Sequence, residues 1–412
     1  MAIVKPFQCV RPDERYAHLV AALPYDVYNR REACQVTAAN PKSFLNIDRP
    51  ETQFSDDVDI YDDRVYEKAG EMLNSWIKDG IFEEDRLEAY YIYKLIMDGR
   101  SQTGIVACSS IDDYINGVIK KHENTREEKE VDRIRHVDTT DAQTGPIFLA
   151  YRSNEAINKI VDLKTGTKPL YDFVLEDGIS HKVWRIDNAD MIHMIEEAFH
   201  GIPATYIADG HHRAASAVKV GLKRRRENQG FTGEEPFNYF LSVLFPDDQL
   251  MIMPYNRVVK DLNGLSETDF LHNIQEFFEV ACVGAEPYAP SEKGMFGLYL
   301  NQTWYCLKAR DSLKSPDPVK GLDVSILQDN LLGPVLGIGD PRTDKRIDFI
   351  GGIRGLKELE KRCAEDMTVA FSMYPTSIEE LFDVADAGRL MPPKSTWFEP
   401  KLRSGLFIHM LK

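Results

Sequence analysis

The 412-residue chain has no apolar run near the roughly 18 residues that a membrane-spanning helix needs, so it offers no candidate span. Cysteine is scarce: Cys9, Cys34, Cys108, Cys282, Cys306 and Cys363 are widely scattered, no two at metal-ligand spacing, and no signal peptide is recognisable. That pattern argues against a disulfide framework and predicts a reduced, cytoplasmic protein. Positive charge is also in deficit. A formal charge of −16 excludes a general basic field for nucleic acid or an anionic membrane, because both demand clustered Lys and Arg to release counterions. Any anionic ligand must be held by local groups, so the expected partner is a small molecule. Familiar nucleotide devices are missing too. There is no Gly-x-x-x-x-Gly-Lys-Ser/Thr loop, no protein-kinase glycine loop and no Asp-Phe-Gly. The run Gly333-Pro334-Val335-Leu336-Gly337-Ile338-Gly339 fails the dinucleotide fingerprint because Arg342 stands where its last glycine belongs. No internal repeat or low-complexity tract is visible.

What is present is enough apolar residue, 43%, to bury a sizeable core. The length suits two or three units of about 100–200 residues. Val65, Ala69, Met72, Leu73, Trp76 and Ile77 recur at helical spacing, predicting a helix over residues 61–79 that ends near Gly80. Residues 89–97 and 102–108 read as strands of a hairpin turning at Asp98-Gly99, and residues 171–186 as another turning at Asp177-Gly178. Ile111, Tyr114, Ile115, Val118, Ile119 and His122 predict a second helix running into Lys121-His122-Glu123. Further strands are expected at residues 145–151, 203–208, 239–245 and 250–259, with a helix over 187–199. Ser266-Glu267-Thr268-Asp269 resembles a capping box, so a new unit is expected near residue 261. Together these elements predict an α+β (mixed α/β) protein divided into residues 1–260 and 261–412.

The densest chemistry lies in residues 206–217, where a short β-prone run meets Asp209-Gly210-His211-His212-Arg213 and an alanine-rich helical pattern. A strand, a turn and a helix follow in order. Glycine lets a ligand approach the backbone, and the first amides of the helix point outward at the positive end of its dipole. His211, His212 and Arg213 add side-chain donors, and Arg213 can grip an oxyanion through two parallel bonds. The same residues admit a structural reading, in which Asp209 caps the helix, Gly210 turns the chain and the histidines are solvated.

A second cluster runs from Lys121 to Arg133. It opens like a zinc-protease helix, but that chemistry needs a second histidine one turn on, and Arg126 stands there. Zinc is therefore rejected. Two readings remain: a charged surface helix with i, i+4 pairs, or Glu123 beside His122 as a general base or magnesium ligand, with Arg126 and Arg133 steadying phosphate charge. The basic run Lys223-Arg224-Arg225-Arg226 reads as a solvated helix face. Asp26 in Leu23-Pro24-Tyr25-Asp26, and Asn256 and Arg257 in Pro254-Tyr255-Asn256-Arg257, are polar groups beside fixed turns. Lys394, Ser395 and Thr396, followed by Pro400-Lys401, sit in an extended loop that either closes over an anionic ligand or is a solvated tail.

These motifs together resemble the bacterial and archaeal domain-of-unknown-function family 1015: Leu23-Pro24-Tyr25-Asp26-Val27, Asn40-Pro41-Lys42-Ser43-Phe44, His122-Glu123-Asn124-Thr125-Arg126 with Lys129, Glu130, Asp132 and Arg133, the turn at Asp209, Pro254-Tyr255-Asn256-Arg257-Val258-Val259 and the loop from Met391 to Thr396. The Asp-Gly-His-His-Arg turn is also distantly similar to the nucleotide-phosphate motif of the ParB and sulfiredoxin superfamily, which includes kinases of free serine. That resemblance implies a ParB/sulfiredoxin-like nucleotide-binding core with an N-terminal elaboration and a C-terminal α+β unit. It implies ATP or ADP on Asp209 to Arg213, Mg2+ through Glu123 or Asp209, and Glu123 as the base for a substrate hydroxyl. The leading expectation is a small-molecule kinase with a serine-like acceptor. The alternatives are a nucleotide-binding regulator that hydrolyses slowly and yields no phosphorylated product, and a scaffold in which both charged clusters are structural.

Overall fold

The computed structural model describes all 412 residues and resolves them into two compact units, residues 1–250 with 400–412, and residues 251–399. The first is built on a mixed nine-stranded sheet. Its order is Ile119–Lys120, Thr205–Asp209, Ile147–Tyr151, Tyr239–Pro246, Arg100–Ser110, Tyr90–Met97, Ser180–Ile186 and Tyr171–Val174, and Val4–Lys5 also pairs with Arg100–Ser110. Both expected hairpins are present, because Asp98 and Gly99 (φ 51° and 79°) and Gly178 (φ 78°) take the left-handed backbone that tight turns need. A smaller sheet joins Phe82–Glu84, Cys9–Pro12, Ile408–Met410 and Ala142–Gln143, so the C-terminal segment is woven into the first unit.

The strand Thr205–Asp209 leads straight into the helix His211–Glu227. One face of that helix, with Ala214, Ala217 and Val218, packs on Ile207, Leu149, Phe240 and Leu244 of the sheet in the main core. Small residues let the helix lie close. A Cβ added at Gly221 would stand 2.5 Å from the carbonyl oxygen of Phe237 and 2.8 Å from Ile111 Cδ1.

Three expectations are corrected. The helix begun at Ile111 stops at Ile115; Gly117 (φ 74°) turns the chain, and Ile119–Lys120 becomes a strand parallel to Thr205 and Tyr206. His122 therefore lies in a loop, and the charged cluster forms its own helix, Glu127–Thr140. The strand expected over 250–259 is broken at Pro254 into Ile252–Met253 and Tyr255–Val259, since proline lacks the ladder donor. The basic run is not simply solvated: Lys223 and Arg224 bind Asp138, and Arg225 grips Asp112 through both terminal nitrogens, both at 2.7 Å.

The second unit holds a six-stranded antiparallel sheet in the order Phe278–Gly284, Thr303–Ala309, Met295–Leu300, Val369–Met373, Tyr255–Val259 and Ile347–Gly351. Helices Glu267–Ile274, Lys357–Glu365 and Ile378–Asp386 accompany it; Ser266 caps the first and Ser377 the last. No helix of the chain is long and apolar enough to cross a membrane.

Gly221→Ala is expected to lower stability by about 1–3 kcal/mol, the usual cost of overpacking, read as a lower urea midpoint. An unchanged midpoint would contradict this helix-to-sheet packing.

Candidate functional site

Gly210 is the N-cap of the 17-residue helix His211–Glu227, and it sits at φ 96°, where only glycine is at ease. A Cβ there would also meet the Arg213 guanidinium, which folds back over the turn with Nε and Nη2 3.1 Å from that position. No side chain caps the helix. Its opening amides face the turn at the positive end of the dipole, the arrangement that favours an anion.

The loop 121–126 is drawn onto this helix start. The backbone N–H of Arg126 donates to His212 Nε2 at 3.0 Å, and that of His122 to His211 Nε2 at 3.5 Å. Both rings therefore accept through Nε2 and keep the proton on Nδ1. His211 Nδ1 lies 3.9 Å from Glu123 Oε2, too long for a hydrogen bond but within Coulomb reach. The rings of His122 and His211 meet edge to face at 4.5 Å. Both are buried, and burial, the largest influence, pushes His122 down to about 4 and His211 well below the ordinary histidine value. Both are neutral at pH 7. They pack the loop against the helix and carry no charge to a ligand.

Asp209 closes the other side of the turn. Burial alone would raise its pKa, but Lys401, whose Nζ is 3.0 Å from Asp209 Oδ2, and Arg213 outweigh that and hold the carboxyl below the usual range. Arg213 Nη1 donates to the Pro146 carbonyl, and the same guanidinium lines a cavity of about 30 Å³ together with Arg133, Tyr25 and Asp48. That volume suits a single water. Arg133 is buried, is bound to Asp132 at 2.9 Å and lies 3.9 Å over the Tyr25 ring. Arg126 is exposed beside the turn, and Asp26 is exposed on the rim of a larger cavity.

Sequence reasoning missed the brace behind the loop. Buried Glu130 accepts from Thr125 Oγ1 and Lys219 Nζ, and Ser216 Oγ donates to the Glu130 carbonyl. The i, i+4, i+7 spacing of His212, Ser216 and Lys219 on the helix was the available signal. The remaining candidates belong to the second unit. Asn256 is buried and accepts from the Met373 amide, while buried Arg257 binds the carbonyls of Tyr255 and Lys394. The Ser395 hydroxyl donates to the Pro392 carbonyl, and the Thr376 hydroxyl to the carbonyl of Ser395. Lys394 is exposed at φ 60°, its ammonium 5.4 Å over Tyr255, and Thr396 is half-buried. Within their own unit these groups hold the loop to the Tyr255–Val259 strand.

No group of three or more His, Cys, Asp or Glu side chains converges as a metal cage. Magnesium that travels with a nucleotide needs only one or two carboxylates beside phosphate oxygens, so Asp209 and Glu123 suit that donor chemistry.

A family model described as "Protein of unknown function (DUF1015)" matches residues 4–325. The chain belongs to this family. The family description assigns no activity. A comparison with curated proteins finds no match. Among solved structures, the chain is similar to a free serine kinase variant in complex with ADP, at 16% identity and a TM-score of 0.35, covering 73% of this chain and 92% of that one. It is also similar to a conserved hypothetical protein from Pyrococcus furiosus, at 16% identity and 0.34, covering 74% and 94%. A third is C-terminally truncated SbnI from Staphylococcus aureus, at 11% and 0.37, covering 72% and 85%. Similarity at these values assigns no residue of the DUF1015 chain a role.

The depressed Asp209 carboxyl carries a definite pH signature. A carboxylate whose folded pKa is lowered contributes stability that is complete above its unfolded value, about 4, and is lost as the pH falls through the folded one. Lys401→Met is expected to raise the Asp209 pKa and move that loss to higher pH, read by ¹³C NMR titration of its carboxyl. A curve unmoved by Lys401→Met would contradict the pairing.

Proposed function

We propose that this DUF1015 protein is a nucleotide-dependent small-molecule kinase that transfers a phosphoryl group from ATP or ADP to a hydroxyl of a small metabolite, with serine the first acceptor to test. One observation carries the reading: an uncapped 17-residue helix begins at left-handed Gly210, and the Glu123 carboxylate stands 3.9 Å from the first side chain of that helix. The amides of His211, His212 and Arg213 bind nucleotide phosphates at the positive end of the dipole. Arg213 and Arg126 add charge that falls on the transferring group. Magnesium accompanying the nucleotide would supply further neutralisation, and Asp209 or Glu123 is the residue that would hold it.

Glu123 takes the proton of the acceptor hydroxyl. The freed oxygen attacks the terminal phosphorus, the bond from that phosphorus to the nucleotide's bridging oxygen breaks, and the shorter nucleotide leaves with the bond's electron pair. Such a reaction asks the protein for positioning and charge neutralisation more than for covalent work. The neutral histidines at 122 and 211 fix the loop that bears Glu123, so His122 acts through position. Six free cysteines support a reducing, cytoplasmic setting.

The purified chain, incubated with Mg2+, ATP or ADP and serine, is expected to yield the lower nucleotide and phosphoserine together. Glu123→Gln is expected to cut turnover by about 10²–10⁴-fold while calorimetry still detects nucleotide; Arg213→Ala is expected to weaken nucleotide binding itself. Nucleotide loss that proceeds equally without any hydroxyl compound would overturn the reading.

A further inference from the structure

Beside the turn, within the first unit, lies a cavity of about 140 Å³. Its volume is close to the roughly 150 Å³ that admits benzene in an engineered cavity, which sets its occupant at about six or seven heavy atoms. The wall is polar. Helix Glu127–Thr140 supplies Lys129, Asp132 and Arg133 at the spacing of one helical face, and Asp26, Arg49 and Glu51 come from the N-terminal segment.

Three cations therefore face three carboxylates, and the wall is balanced. Four of these six groups are engaged: Arg49 pairs with Glu51, and Arg133 with Asp132, whose other oxygen accepts from the Tyr66 hydroxyl. The side chains of Asp26 and Lys129 form no ion pair or hydrogen bond, and both are exposed at the rim. Each acts on His212: burial lowers its basicity most, Glu130 and then Asp26 raise it, and Arg126 and then Lys129 lower it. The two unengaged charges thus stand within Coulomb reach of the ring that accepts from Arg126. Lys129 shares the first helical turn with Arg126, so cavity and turn are joined by one short stretch of chain.

A wall with no net charge and one unengaged group of each sign offers little to a purely anionic or purely cationic guest. It suits a guest that carries both signs on a small frame. We propose that this cavity is the acceptor site and that it selects a small zwitterion, its ammonium seated against Asp26 and its carboxylate against Lys129. The assignment rests on the kinase reading for the word acceptor, but the recognition of a zwitterion stands on the cavity alone.

Calorimetry on the full chain separates the two. L-serine, D-glycerate, which lacks the ammonium, and ethanolamine, which lacks the carboxylate, are titrated with and without ADP. Serine is expected to bind about tenfold or more tightly than either analogue, as loss of a charge-assisted bond implies. Asp26→Asn and Lys129→Ala alter exposed side chains, so folding is preserved; each is expected to weaken serine by a similar factor with ADP affinity held. Selective serine binding in a protein that ignores ADP would remove the kinase reading and keep the zwitterion pocket. Equal binding of all three compounds, or serine affinity within twofold in both variants, would overturn the pocket assignment.

Discussion

A helix that starts on a glycine in the left-handed region has no side chain of its own to satisfy its first amides, and the rest of the site follows from that constraint. Gly210 at φ 96° turns the strand Thr205–Asp209 into the helix His211–Glu227 without a cap. Because Arg213 folds back over the same residue, any side chain there would meet both an unfavourable backbone and an occupied space. The turn is thereby left without a side-chain cap and is ringed by side chains.

The groups around it divide by protonation. His122 and His211 are buried and neutral, so their contribution is shape, and the loop 121–126 is held by ring nitrogens of His211 and His212 that accept its backbone donors. Asp209 remains ionised because Lys401 and Arg213 offset the cost of its burial. Without those cations the acidic group would repel an incoming phosphate or take up a proton. The Glu130 brace fixes the loop from behind, so Glu123 is carried on a stretch of chain anchored on both sides.

Much of this was legible in the sequence. The turn residues Asp98-Gly99 and Asp177-Gly178 announced their hairpins because tight reversals need left-handed backbone, and the abrupt change from β-prone residues to alanines announced the strand-turn-helix junction. The stretch after Ile115 misled because Val118, Ile119 and His122 satisfy helical spacing, while Gly117 and pairing with Thr205 decide for a strand; a partner 86 residues away leaves no mark on local periodicity. The union of loop 121–126 with the turn was equally invisible. Its bonds link backbone to imidazole across 86 and 89 residues, and a histidine looks the same in sequence whether it donates to a ligand or accepts from a loop. Lys401 is more remote still: residues 400–412 return to the first unit only after the second has been built.

The most direct measurement is a crystal structure of the chain with ADP and Mg2+. Phosphate oxygens are expected within hydrogen-bonding distance, about 2.7–3.2 Å, of the amides of His211, His212 or Arg213, with Glu123 facing the terminal phosphate. Nucleotide density elsewhere on the molecule, with ordered water alone at the amides after Gly210, would contradict that placement.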